Sequence, residues 1–592
     1  MPTLAVTSFL GEMPRMEPRM LESGYAVAAV NCCLDRGSLR PLRGAAFMEP
    51  LDAPAVAIFK HDIDGWFAWE GEVSAVKSAV ADVDGEKPLG HVLVTGERGY
   101  PTQRLSGGEI HRLGIPRPSV APVANVAKEA ALATSVFGFC ARTHAELPLR
   151  YGSEGALVEE RNVEVTPYAT LEEILTPEKE SSIVRSSAYC YTFVQSLAGG
   201  LIQQESAPSP PSEVVDVPNG AGVTLSGFAV PALEGLTVSH IRIYRTVSGT
   251  TASDFHFLAE LPAEVTSYTD TILDKDVSTE ILRTSTWDPI PDDARGLIKT
   301  DNGIYAAFRG NELLVSEPFY PYAFPSIYRL TVEDTIIALG HVDATIVILT
   351  TGRPYLAQGG VPESLQLVHL PIEQACMSAR SVASLPGGVI YASPDGLMMF
   401  TSNEQSLVSG QTFTREQWQE LHPETLMGTV HDGRYVAFFS GTNEGLLFNL
   451  GRTDVVRVRF PEDWKVHALY HHSEDDCVYL SIETKDGYGV YRFEAGESLE
   501  YTWRSKAFFT SALTGMSCAR VEGEQGTTAP AVLKVFGPDA ERPRAHMAFR
   551  DSRTRRIPPT RSERLWSFEI SGRSPVYEVR LGSSVEDLEY GR

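Results

Sequence analysis

A mainly β fold is predicted by three features of the sequence. Short apolar runs alternate with Gly- and Asp-containing turns along most of its 592 residues. Glycine (49) and proline (38) are frequent enough to punctuate many short strands. From residue 296 a loose repeat recurs at steps of about 38, 45, 46 and 41 residues, near the length of one propeller blade.

The five repeat segments start near Gly296, Asp334, Ala379, Thr425 and Val466. Each carries paired apolar strands: 303–308 with 312–316, 345–349 with 354–357, 388–392 with 396–401, 434–439 with 445–449, and 477–482 with 489–493. A lone sheet of this kind leaves both faces wet, and stacking several around an axis buries them. The predicted platform is therefore β-propeller-like. One helix interrupts the series. Thr414 and Gln417 have capping-box spacing, Trp418 and Leu421 share a face, and Pro423 ends it.

Residues 1–50 read as an N-terminal arm, with 25–39 able to form a strand or a short helix. Residues 51–111 hold the first propeller strands, at 55–60, 65–69 and 91–95. Residues 112–185 read as a linker and inserted region. Three prolines in 112–123 exclude a central strand there, and 169–175 suggests a short helix. Residues 186–290 carry strands at 187–195, 223–227, 240–246, 254–261 and 267–272, spaced as in a fibronectin III-like β-sandwich. Within it Ile241, Ile243 and Arg245 face one way, and Arg242 and Tyr244 the other. Residues 291–592 comprise the blades and C-terminal closing strands. The strands at 531–536 and 565–581 are expected to close the ring together with those near 55–95.

Composition narrows the function. Apolar residues at 43% and charged residues at 21% support sizeable cores. A formal charge of −25 argues against a nucleic-acid coat and against docking on an anionic membrane. Cys32, Cys33, Cys140, Cys190, Cys376, Cys477 and Cys518 are odd in number and lack C-x-x-C spacing, so reduced thiols and assembly in a cytosol are expected. No apolar run reaches the roughly 18 residues of a membrane span. Residues 1–10 lack the basic and apolar parts of a signal peptide.

Signatures of catalysis are missing: no phosphate-binding loop, dinucleotide fingerprint, zinc-protease helix or nucleophile elbow occurs. Gly152-Ser153-Glu154-Gly155 is one residue short of an elbow and reads as a surface turn. Asp82-Val83-Asp84-Gly85-Glu86 starts like a calcium loop, but Leu93 stands where the bidentate glutamate belongs, so a solvated turn is expected. His471-His472-Ser473-Glu474-Asp475-Asp476 carries metal-capable side chains where a polar hairpin tip is expected. No catalytic, cofactor-binding or metal residue is assigned. The candidate site is a basic stretch in this acidic chain: Arg542, Arg544, Arg550, Arg553, Arg555, Arg556, Arg561 and Arg564. It reads as an electrostatic anchor for an acidic neighbouring subunit or for DNA phosphate. Pro558-Pro559 suggests an extended segment lying across a surface, which favours the subunit.

Several runs carry a resemblance. They are Leu39-Arg40-Pro41, Tyr191-Thr192-Phe193-Val194, the SAPSPPS run at 206–212 after Glu205, Val223-Thr224-Leu225-Ser226-Gly227 and Ile241-Arg242-Ile243-Tyr244-Arg245. Further on come Asn311-Glu312-Leu313, Ser316-Glu317-Pro318, Leu349-Thr350-Thr351-Gly352, Gln374-Ala375-Cys376, the run at 391–397 and His431-Asp432-Gly433-Arg434-Tyr435. In this order they cover most of the chain, which resembles the tail nozzle (tail tubular protein B type) of short-tailed bacteriophages.

The resemblance implies a structural virion protein: a homo-hexameric ring on the tail axis, assembled in the host cytoplasm. It implies contact with a tail adaptor or portal-side tail protein and with tail fibre or tip proteins. Double-stranded DNA would transit its lumen without sequence-specific binding. No catalytic residues carry over. Six copies at −25 each would present a wall that repels duplex phosphate. A tail adhesin or fibre-mounting protein, and a tail-associated polysaccharide hydrolase, stay open as alternatives.

Overall fold

The computed structural model describes residues 3–61, 63–78, 91–105, 107–126, 136–139, 146–149, 185–218, 221–247, 254–401, 404–524, 530–539 and 541–589. The chain divides into two compact units, one of residues 1–110, 290–324 and 328–592, the other of 111–289 with 325–327.

The first unit contains a β-propeller-like ring. Its first blade is the antiparallel sheet Arg295–Lys299, Tyr305–Arg309, Glu312–Val315 and Leu330–Thr331. The second is Ile336–Val342, Thr345–Thr350, Tyr355–Gln358 and Gln366–His369. The third is Ala383–Leu385, Gly388–Ser393, Gly396–Thr401 and Gln405–Leu407. The fourth is Leu426–His431, Arg434–Phe439, Glu444–Asn449 and Val455–Arg459. The fifth is Lys465–His472, Cys477–Thr484 and Gly487–Arg492, completed by Ala46–Leu51 as outer strand.

Alternation explains why these strands read as unbroken apolar runs. In Thr345–Thr350, Ile346 and Ile348 enter the core shared with the first blade, while Val347 and Leu349 enter the core shared with the third. Ile390, Tyr435 and Leu446 do the same between third and fourth blades. Each such buried aliphatic contributes about 1.5–3 kcal/mol.

Residues 46–104 close the ring. The hairpin Ala57–His61/Gly65–Trp69 follows the fifth blade. Next comes the sheet Ser74–Lys77, Val92–Thr95 and Thr102–Arg104, with Ile110–Arg112 straddling the point where the chain leaves this unit. Phe59, Trp69, Val92 and Val94 seal the two together, and Ser74–Lys77 lies beside Arg295–Lys299 of the first blade. Seven sheets thus surround one axis among the described residues.

The strands at 531–536 and 565–581 do not close the ring, which corrects the sequence expectation. They belong to a sandwich that extends the fourth blade. Beyond Val455–Arg459 the same sheet continues through Ala26–Val30, Tyr501–Ser505, Glu563–Gly572, Ala531–Phe536 and Pro543–Phe549. A second sheet, Leu4–Val6, Val576–Gly582, Cys518–Gly523 and Arg555–Arg556, packs in the same core. The physical reason lies in their apolar faces. Trp566, Phe568 and Ile570 find Val521, Val579 and Leu581 nearby and need no blade to cover them.

The N-terminal arm is clamped along its length. Leu4–Val6 pairs with Val576–Gly582, and Ala26–Val30 sits between Val455–Arg459 and Tyr501–Ser505. Phe9 meets the Trp503 ring edge-on at 5.0 Å, and the Trp503 indole N–H donates to the Leu10 carbonyl at 2.9 Å. Glu12 is buried, accepting from the Ala29 N–H at 2.8 Å and from Arg457 at 3.0 Å. The helix forms as Arg415–Gln419, with both capping-box bonds present and Trp418 buried.

The second unit holds a four-on-three sandwich. One sheet is Ile202–Glu205, Tyr189–Leu197, His240–Thr246 and Phe255–Pro262, and the other Val123–Val126, Val223–Ser226 and Ser267–Asp270. Tyr191, Phe193, Leu225, Ile241 and Ile243 fill its core. Arg245 is fully buried against Asp270, which also accepts from the Tyr189 hydroxyl at 2.9 Å. Tyr244 is buried too, but on the opposite face of the sheet against Cys190 and Leu282, as alternation expects.

The SAPSPPS run has a distinct role. Prolines supply no N–H, so every third residue must carry the pairing. Ser206, Ser209 and Ser212 donate backbone N–H groups to Phe193, Tyr191 and Tyr189 carbonyls, and their hydroxyls accept the N–H of the same three residues.

Candidate functional site

The arginine stretch lies on the outer strands of the C-terminal sandwich. Pro543–Phe549 is the free edge of the long sheet, carrying Arg544 with Arg542 just before it and Arg550 just after. Arg555 and Arg556 form the edge strand of the second sheet, pairing with Ala519 and Cys518. Arg561 and Arg564 flank the start of Glu563–Gly572. Two of the eight are neutralised internally: Arg544 by Glu563 at 3.4 Å, and Arg555 by Asp551 at 3.1 Å. Arg542, Arg550, Arg553, Arg556, Arg561 and Arg564 are exposed and form no salt bridge with a described residue.

Pro558-Pro559 runs extended across this chain's own sheet. The Ile557 and Thr560 N–H groups donate to the Ser517 and Met516 carbonyls, and the Ile557 side chain is buried. Beside Leu565, the strand Phe508–Thr514 presents Phe509 (69% exposed) and Leu513 (66%) to solvent. Exposed arginine next to exposed aromatic and aliphatic side chains is the composition of a protein interface, where Arg and Phe are enriched.

Other sequence candidates fare differently. Asp82–Glu86 and Gly152–Gly155 lie outside the described residues. The run 471–476 is a hairpin tip between Lys465–His472 and Cys477–Thr484. It is divided between two neighbours. Asp475 accepts from Lys60 at 2.6 Å and from the Tyr479 hydroxyl at 2.7 Å, and its other oxygen lies 3.0 Å from His472 Nδ1. Asp476 instead meets His471 Nε2 at 2.9 Å and His431 Nδ1 at 3.3 Å.

His431 ends the inner strand of the fourth blade and escaped sequence reasoning. Its position follows from the tight turn Asp432-Gly433, both at positive φ (49° and 67°), which reverses the chain at once into Arg434. The signal that would have found it is the repeat itself. His431 and His471 both sit where an inner strand meets its turn.

The inner strands line two cavities of about 420 Å³ each. Lys60, Lys77, Lys299, His341 and Glu474 border one, and Arg380 borders the other. The Arg380 guanidinium donates to the Val56 and His467 carbonyls and to Ser440 Oγ, tying three neighbouring segments, and burial lowers its pKa. Spaces of this size suit small molecules. All six described cysteines are free, and burial pushes the Cys376 thiol up to about 12, away from nucleophilic use.

No protein-family model matches the chain, and no curated protein matches it. Solved structures with similar sheet arrangements include BBS1N in complex with ARL6DN (10% identity, 46% of this chain and 87% of that chain, TM-score 0.23). The Neurospora crassa Pan2 WD40 domain is 8% identical over 47% of this chain and 86% of its own, with a TM-score of 0.26. Kluyveromyces lactis Hsv2 is 8% identical over 44% and 67%, with a TM-score of 0.24. The propeller assignment rests on the strand order described above.

Proposed function

We propose that the chain is a structural, non-enzymatic subunit of a bacteriophage tail nozzle, assembling as a homo-hexameric ring that conducts DNA. The observation that carries this reading is the sandwich end with six exposed arginines that form no salt bridge with a described residue, beside Phe509 and Leu513, on a chain of charge −25. Such a surface complements an acidic copy of the same chain, and a heterologous contact of this kind closes into a ring. In this reading the conduit runs between copies and not through one propeller. The tail adaptor, the fibre or tip proteins and assembly in the host cytoplasm follow from the same resemblance.

Electron microscopy and sedimentation of the purified chain test this. Closed rings with an axial channel are expected. Replacing Arg556, Arg561 and Arg564 together with glutamate should reduce rings to monomers with an unchanged circular dichroism spectrum. A wild-type chain that stays monomeric up to micromolar concentration would overturn the reading.

A further inference from the structure

Independently of that assignment, two blades converge on one carboxylate oxygen. His431 comes from the inner strand of the fourth blade, and His471 from the inner strand of the fifth. Asp476 leaves the turn that follows His471. His471 Nε2 and His431 Nδ1 approach the same Asp476 Oδ1 at 2.9 and 3.3 Å, and all three atoms lie within 4.8 Å of one another. The imidazole centroids are 5.6 Å apart. His431 Nδ1 is buried and lacks a hydrogen-bond partner of adequate geometry.

We propose that His431, His471 and Asp476 bind one divalent transition-metal ion, best matched by zinc, that staples the fourth blade to the fifth. Two imidazole nitrogens and a carboxylate oxygen are a zinc donor set. In tetrahedral geometry with bonds of about 2.0–2.1 Å, ligand atoms stand about 3.3 Å apart, close to the separations from Asp476 Oδ1. The neighbouring groups are already committed. Glu494 takes both its oxygens to Arg434 at 2.8 Å, and Asp475 with His472 points toward Lys60. A cavity of about 440 Å³ bordered by Arg43, Arg492 and Glu494 opens onto His431 and Asp476, giving water access to a fourth coordination position. Neutral imidazoles and an ionised carboxylate hold a divalent ion without redox chemistry, so the site's role is to join two sheets.

The test is calorimetric titration of chelator-treated, full-length chain with zinc chloride. One zinc per chain is expected, with a thermal-unfolding midpoint that rises on addition. His431→Ala, His471→Ala and Asp476→Asn should each weaken binding by about tenfold or more. His472→Ala, one residue away on the opposite face, should leave it unchanged. Circular dichroism without zinc checks that the variants fold, and the conservative Asp476→Asn keeps the test open if an alanine variant does not. No saturable binding at 100-fold molar excess overturns the proposal. So does binding that survives loss of His431, since an ion held by the 471–476 turn alone would not join the blades.

Discussion

The second blade and the sheet that extends the fourth are built from similar strands but assembled by different logic. The second blade takes all four strands from residues 336–369, and alternate residues of one strand supply both neighbouring cores. The extended sheet draws on residues 26–30, 426–459, 501–505 and 531–572, and its core joins Phe9 to Trp503 and Val6 to Val579. Local order suffices for the first. The second exists only when distant segments meet.

Two buried tryptophans sharpen the contrast. Trp418 donates its indole N–H to the Ser393 carbonyl within one blade junction, and Trp503 donates its own to Leu10 across the whole chain. Either Trp→Ala change should cost about 3–5 kcal/mol, read from denaturant midpoints. Trp503→Ala should in addition make residues 1–30 sensitive to brief proteolysis, while Trp418→Ala leaves them protected. Equal sensitivity in the two variants would break the comparison.

A smaller loss is expected at the axis. Arg380→Ala leaves the Val56 and His467 carbonyls without their donor and should cost about 1–3 kcal/mol. Removing the helix cap by Thr414→Ala, a change confined to one turn, should cost about 1 kcal/mol.

The weakest effect is one of pH. Burial raises the Glu12 carboxyl above 4.5, against the lowering influence of Arg457. The folded chain then holds this proton at a pH where the unfolded chain has lost it. Glu12's contribution therefore falls as pH rises from 4.5 through its raised pKa. Glu12→Gln should remove that slope, so wild type should gain stability relative to the variant on moving from pH 7 toward 4.5. Urea midpoints at the two pH values measure it.

The same contrast governs what could be read from the sequence. The blade starts near Gly296, Asp334, Ala379, Thr425 and Val466 correspond to strands beginning at Arg295, Ile336, Ala383, Leu426 and Lys465. Apolar runs and Gly or Asp turns are local signals, as is the Thr414–Gln417 box. Ala46–Leu51 gave no such signal. It carries Pro50 and Glu49 and is mostly exposed, as an outermost strand permits. The strands at 531–536 and 565–581 were legible as strands, but nothing local states which sheet they join. Arg542–Arg564 could be picked out by charge, whereas internal neutralisation of Arg544 and Arg555 depends on Glu563 and Asp551 in the folded sheet. His431 needed the repeat register to be matched to His471.

The pairing of Leu4–Val6 with Val576–Gly582 has a consequence for biosynthesis. At roughly 5–20 residues per second, the two strands leave the ribosome about half a minute to two minutes apart. Until Trp503 emerges, late in that interval, the nascent chain carries Phe9 and the apolar side of Ala26–Val30 uncovered by it. The blades can form as they emerge, but the sandwich waits until residues 563–582 have been made, so its apolar strands stay uncovered longest.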